Sequence, residues 1–293
     1  MRKINLNKLI NEYEIFLIDQ WGVLHNGVKK FIAAEKFLNV LKMKNKKIIL
    51  ISNTSQTKES LINETLIPLR FNPKNFYKII SSGEVIKKII FSDTSNYDYI
   101  KKIIKRKKCL IISNKNDFKN IKIFNLISSN KKNAKFIFAM SIEPVFSKSK
   151  IKNLANSLVK LKIPMICTNP DKKVYDGKFK KLSFQVGELA YQFSILGGKV
   201  IYIGKPEKII FEHSLNNIKK KDYKKCIVIG DSLETDIKGG KYFNIDTLLI
   251  LNGIHKKEFN INKIDEAKKN IKKKYLVKPK FYTPSLESIM ANH

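Results

Sequence analysis

The stretch IFLIDQWGVLHNG, residues 15–27, decides the reading of the fold. Four apolar residues run into Asp19, a turn follows at Gly22, and a second glycine stands at Gly27. A buried strand that hands a carboxylate to a glycine-bearing turn presents a nucleophile at a sheet edge. Two residues beyond Asp19 stands Trp21, the only tryptophan of the chain.

Other runs share this plan. KKIILISN (46–53), KVIYIGKP (199–206), KKCIVIGDS (224–232) and DTLLILNG (246–253) are β-branched stretches that end in a polar residue or a glycine. Helical patterns lie between or after them. FIAAEKFLNVLKMK (31–44) repeats apolar residues at helical spacing. TKESLINETLIPL (57–69) opens with a capping Thr57 and has Glu59 in its first turn, and TDIKGGKYFN (235–244) is a short helix weakened by two glycines. Strand alternating with helix predicts an α/β fold, a Rossmann-like parallel sheet covered on both faces.

The middle of the chain supplies a second set. CLIISN (109–114), KFIFAMS (135–141) and PMICTNP (164–170) are further strand candidates. SKIKNLANSLVKLK (149–162) is an amphipathic helix with Ile151, Leu154, Leu158 and Leu161 on one face. This pattern predicts an inserted α/β domain at 84–186, between core segments 1–83 and 187–293. SSGEV (81–85) and the stretch before GGKV (197–200) read as hinges.

A chain of 293 residues with 43% hydrophobic content is long enough for two domains. The first 14 residues hold no continuous apolar stretch, and no apolar run approaches the roughly 20 residues that span a bilayer, so neither a secretory leader nor a membrane partner is expected. Cys109, Cys167 and Cys226 lie far apart in apolar runs and form no CxxC, which fits a reduced, cytoplasmic compartment rather than a disulfide framework or a zinc site. The formal charge of +33 suggests nucleic acid at first sight. Yet only Arg2, Arg70 and Arg106 of the 58 basic residues are arginines, the residue that makes bidentate phosphate and base contacts. Abundant Lys, Asn and Ile together are what an AT-rich coding bias produces, and a solvated lysine surface is the simpler reading.

Asp19, Ser52, Lys205 and Asp231 each follow a strand candidate. Ligands of an open parallel sheet bind beyond the carboxyl ends of its strands, so these four side chains are expected to meet at one edge. Singly, each reads as a turn, cap or surface residue. Together they suggest a site for a phosphate and a metal. An aspartate can attack phosphorus and split hydrolysis into two easier steps. Mg²⁺ takes oxygen ligands, which Asp19 and Asp231 can share, with Asp236 in support five residues later. Ser52 can donate its hydroxyl, with backbone amides after it holding phosphate oxygens, and Lys205 can stabilise charge on the transferring group.

At this point the chain resembles the haloacid dehalogenase-like hydrolase superfamily, and it does so over almost its whole length. IFLIDQWGVLHNG is similar to the first motif of that family, with Asp19 as nucleophile, and IILISNTSQT to the second, with Ser52 and Asn53 at the phosphate. YIGKPEKIIFE is similar to the third, with Lys205, and VIGDSLETDIKGG to the fourth, with Asp231 and Asp236. The last two resemble subfamily IIA, whose members carry an α/β cap between the second and third motifs and an Asn-Pro-Asp stretch within it. CTNPDKKVYDG (167–177) matches that stretch, which makes Asn169 and Asp171 candidate substrate contacts. The resemblance implies a Mg²⁺-dependent phosphatase of a small phosphorylated metabolite, and a homodimer, because such caps often join dimers.

Trp21 departs from the family pattern, although one branch of subfamily IIA shares D-x-W-G-V-L-H at this motif. The family's phosphatases carry there an aspartate that acts as general acid/base, while the backbone carbonyl of the same residue binds Mg²⁺. Tryptophan can still supply the carbonyl but not the proton, and a positioned acid/base contributes on the order of 10²–10⁴-fold in rate. The alternative to an active phosphatase is therefore a catalytically weak or inactive metabolite-binding protein on the same scaffold. His25 is the only histidine near the motif and reads more simply as a loop residue packed against the turn. His213 and His255 receive no role.

Overall fold

The computed structural model describes residues 1–91, 97–256, 258, 271 and 274–291. In chain order the strands are β1 (Arg2–Lys3), β2 (Ile15–Ile18), β3 (Lys47–Ser52) and β4 (Lys78–Ser81). Then come β5 (Lys108–Ile112), β6 (Ile127–Ser128), β7 (Phe136–Ala139), β8 (Met165–Cys167), β9 (Lys173–Asp176), β10 (Lys181–Phe184) and β11 (Val200–Tyr202). The last three are β12 (Cys226–Gly230), β13 (Asp246–Ile250) and β14 (Phe281–Thr283). They form a seven-stranded sheet in the order β1-β14-β13-β12-β2-β3-β4, a five-stranded sheet β11-β8-β7-β5-β6, and the hairpin β9–β10. Both larger sheets are parallel throughout.

All four side chains of β2 are buried, and their alternation explains why the strand is apolar throughout. Phe16 and Ile18 pack on one face with Ile48, Leu50, Ile227 and Ile229, under the helix Ile32–Met43. Ile15 and Leu17 pack on the other with Ile49, Ile51 and Val228, under the helices Ser82–Phe91 and Lys208–Leu215. The expected hinge at 81–85 is the end of β4 and the first turn of the helix Ser82–Phe91.

The second sheet is covered on one face by the helices Lys148–Val159 and Val186–Ile195, which share a core with Ile137, Ala139, Met165 and Cys167. Ile151 and Leu158 of the expected amphipathic face are buried there, with Leu154 and Leu161 packed partly against them. Among the described residues no helix is long and apolar enough to cross a membrane.

Candidate active site

Parallel register brings the first and fourth motifs together. Ile18 lies opposite Leu50 on one side and Ile229 on the other, so Asp19 leaves β2 beside the ends of β3 and β12. The Asp19 amide donates to the Ile229 carbonyl at 2.9 Å, which continues the ladder one residue past the strand. Asp231 follows β12 directly. Asp236 arrives from the next helical turn, which begins where the Ser232 hydroxyl accepts from the Thr235 amide. Asp19, Asp231 and Asp236 are all buried, and each has a carboxylate oxygen within 4.8 Å of the others.

Lys205 reaches this cluster by a route the sequence reading did not anticipate. KVIYIGKP reads as another strand of the same sheet, but β11 pairs with β8 in the second sheet. The helix Val186–Ile195 packs on that sheet, and only a short turn separates it from β11, so the crossover returns β11 to the side of β8. Lys205 therefore sits in the loop that leads back to the core. Its ammonium donates to Asp19 Oδ1 at 2.6 Å, to Asp236 Oδ1 at 2.7 Å and to the Ile51 carbonyl at 3.2 Å. Its backbone amide is fixed by Asn53 Oδ1 at 2.6 Å. Ser52 stands buried beside it, and its hydroxyl oxygen accepts from the Thr54 amide at 3.2 Å.

So many buried charges distort one another. Burial pushes the Asp19 carboxyl well up, against the pull of Lys205, and the carboxylates of Asp236 and Asp231 add to the rise. Burial and Asp236 raise Asp231 to about 7. Burial disfavours the Lys205 ammonium, but Asp19, Asp236 and Asp171 more than compensate and hold it above its usual value.

This donor set fits a hard divalent cation. The cluster is all oxygen, and Lys205 bonds only two of its three buried carboxylates. Asp19 Oδ2 and Asp231 Oδ1 take no hydrogen bond among the described residues, whereas Asp236 Oδ2 accepts from the Ser232 amide and Asp231 Oδ2 from the Ile254 amide. Gly22 makes room for the cluster. It has φ +81°, and a Cβ there would lie 2.1 Å from Asp231 Oδ2, so no side chain fits.

A pH dependence follows from Asp231. Between its ordinary value and about 7 the folded chain holds a proton that the unfolded chain has released. The contribution of this group to stability is full below that window and falls as pH rises through it. In chelator, the melting temperature is expected to lose this contribution between about pH 4 and 7, and added Mg²⁺ to raise it more at pH 7.5 than at pH 5. A thermal-shift series over pH, with and without Mg²⁺, checks this. An equal Mg²⁺ shift at both pH values would contradict it.

Trp21 lines the mouth of the site. Its indole N–H donates to the Tyr175 carbonyl of β9 at 2.8 Å, which ties the first motif to the hairpin. The ring lies over Gly27, where a Cβ would come within 2.3 Å of it. Trp21 is thus one of the contacts between the first motif and the hairpin, beside the Gly177 amide that donates to the Asn26 carbonyl at 3.0 Å. His25 is fully buried edge-on to the indole, with ring centroids 5.3 Å apart. Its Nδ1 accepts from the Gly27 amide, its Nε2 is buried without a hydrogen bond, and burial pulls its pKa down to about 4. It packs against the turn, as the simpler reading held.

The two residues of the Asn-Pro-Asp stretch part company. Asn169 turns its side-chain oxygen to the Asp171 amide at 3.1 Å. The Asp171 carboxylate accepts from Asn53 Nδ2 at 2.8 Å and faces the cavity that holds Asp19 and Asp231. This cavity has a volume of about 560 Å³. Its walls include Tyr175 and Leu182 of the hairpin, Glu188 of the helix Val186–Ile195, and His255 and Tyr275 on the core side. None of these was singled out from sequence, because nothing local marks a hairpin or a distant loop as facing a cleft.

Two family models cover much of the chain. One, described as haloacid dehalogenase-like hydrolase, matches residues 16–126, and one described as HAD-hydrolase-like matches residues 202–287. The chain belongs to the haloacid dehalogenase-like hydrolases. It is similar to a hydrolase of this family from Brucella suis, with a TM-score of 0.75 and 24% identity over 89% of this chain and 93% of that one. It is also similar to a possible sugar phosphatase of the same superfamily from Cytophaga hutchinsonii, with a TM-score of 0.74 and 22% identity over 98% of each chain. Among curated proteins, the 5'-nucleotidase YutF of Bacillus subtilis is 37% identical over 62 residues, which is 21% of this chain and 24% of that protein. The curated match thus spans about a quarter of that relative's length.

Proposed function

We propose that this protein is a Mg²⁺-dependent phosphatase of a small phosphorylated metabolite, working through an aspartyl-phosphate on Asp19. The observation that carries this reading is the buried cluster of Asp19, Asp231, Asp236 and Lys205, of which Asp19 and Asp231 line one cavity. The cavity volume lies within the range of small-molecule sites. In this reading the second sheet and the hairpin form the cap that selects the substrate, and the relatives' names point to a nucleotide or a sugar phosphate.

Asp19 and Asp231, with the Trp21 carbonyl, would hold the ion, and Asp236 would support it. Bound there, Mg²⁺ would offset the repulsion between these carboxylates and an incoming phosphate. The rest falls to the chain. Ser52 and the amides after it bind phosphate oxygens, and Asn53 fixes the backbone of Lys205. Lys205 holds the Asp19 carboxylate in place and stabilises charge on the transferring phosphoryl group. Asp19 attacks phosphorus, and water then releases phosphate from the acyl-phosphate.

The commitment of the Trp21 N–H to Tyr175 favours a second reading, a metabolite-binding protein with negligible turnover. Phosphate release from a panel of nucleotides, sugar phosphates and aryl phosphates, with Mg²⁺ and with chelator, separates the two. Mg²⁺-dependent release supports the phosphatase. No release from any compound, with Mg²⁺-dependent binding retained, supports the binding protein.

A further inference from the structure

With tryptophan at the acid/base position of the first motif, the proton for the leaving group must come from elsewhere in the cavity. His25 is excluded by its burial and its engaged Nδ1. Three of the other cavity carboxylates are engaged as well. Glu234 pairs with Lys172 at 2.8 Å, Glu258 with Lys274 at 2.8 Å, and Glu188 accepts from Gln192 at 2.9 Å. Asp171 is set apart from these, and from Glu207, by its hydrogen bond from Asn53 of the second motif. It projects from the loop after β8 over the carboxyl end of the core sheet, on the cavity it shares with Asp19. One of its oxygens is held by Asn53, which neighbours the phosphate-binding Ser52, and the other takes no hydrogen bond among the described residues.

We propose that Asp171 is the general acid and base of this enzyme, placed over the leaving oxygen by its hydrogen bond from Asn53. The inference rests on the phosphatase reading above. In the first step an Asp19 oxygen bonds to phosphorus as the bond from phosphorus to the leaving oxygen breaks. That bond's electron pair goes to the leaving oxygen, which takes the Asp171 proton, and the free alcohol departs. In the second step Asp171, now a carboxylate, takes a proton from water as the water oxygen bonds to phosphorus. The bond from phosphorus to Asp19 breaks, its pair returns to Asp19, and inorganic phosphate forms. Burial suits Asp171 to the task by raising its carboxyl to about 6, against the opposing pull of Lys205 and the Asn53 hydrogen bond. The charged groups around it are Lys205, Asp19, Asp231, Asp236 and Glu234.

The test compares wild type, Asp171→Asn and Glu207→Gln on aryl phosphates whose phenols range from strongly to weakly acidic, with Mg²⁺. Asparagine keeps the acceptor for Asn53 and the size of the side chain, so the fold is retained. Glu207 is a further carboxylate on the cavity wall. The expected result is a shallow dependence of kcat/KM on leaving-group acidity in wild type and a steep one in Asp171→Asn. The variant keeps turnover of the most acidic phenol within a few-fold and loses on the order of 10²–10⁴-fold on the least acidic. A merely structural role would lower all substrates equally. Parallel lines for wild type and Asp171→Asn in an active enzyme would overturn the assignment, as would steepening in Glu207→Gln instead. Absence of release by wild type from every ester would overturn the phosphatase reading itself, and this inference with it.

Discussion

Replacing Asp19 by asparagine is expected to lower Mg²⁺-dependent phosphate release by on the order of 10⁴-fold or more, because the attacking oxygen is lost. The change keeps the shape of the side chain. It also keeps an acceptor for the Lys205 ammonium, which bonds Asp19 Oδ1 at 2.6 Å. The substitution therefore removes one buried negative charge from a crowded cluster without opening a cavity. Because burial holds the Asp19 carboxyl well above its usual range, the variant is expected to fold at least as well as wild type in chelator. Loss of activity with stability retained assigns Asp19 to chemistry. Phosphate release by the variant at the wild-type rate would remove the aspartyl-phosphate from the mechanism.

The second large effect concerns stability. Lys205→Met is expected to cost about 3–5 kcal/mol, the range for removing one partner of a buried ion pair. Lys205 is 1% exposed and bonds two carboxylates, one of them fully buried. Methionine fills similar space but leaves Asp19 and Asp236 facing each other uncompensated. Against a total folding free energy of about 5–15 kcal/mol this is a large fraction. Urea unfolding at pH 7.5 in chelator measures it. The loss should shrink at pH 5, where protonation relieves the repulsion, and in Mg²⁺, which would replace the missing positive charge. An unchanged urea midpoint at pH 7.5 would show that the ion pairs contribute nothing net.

Much of this was legible in the sequence. Strands such as IFLI and CIVIG are apolar throughout because both of their faces are buried, and each is followed by an acid because the sheet edge is where charge meets ligand. Asp19, Ser52 and Asp231 follow from that logic alone. Lys205 was found for a partly wrong reason. A short strand declares that it is a strand but not which sheet it joins, and β11 joins the second. The hairpin β9–β10 escaped notice because it is partly exposed and rich in lysine, so alternation on it is weak. Its carbonyl at Tyr175, which receives the Trp21 N–H, was invisible for a deeper reason. Backbone acceptors carry no sequence signature, so a tryptophan that reads as a lost acid gives no hint of what it gained.

The path of Lys205 bears on how such proteins can be recombined. The cation that balances the core carboxylates is carried on the chain segment that leaves the second sheet, separated from β11 only by Ile203 and Gly204. Exchanging that sheet for a relative's, with a junction drawn before β11, would splice a foreign edge strand into the tether that aims the ammonium. A junction drawn after Lys205 would import the tether whole. The seam for a viable chimera is thus set by electrostatics as well as by packing, since Phe136, Phe138 and Ile166 of the second sheet share a core with Ile49 and Ile51 of the first, and the same seam limits where evolution can exchange one such sheet for another.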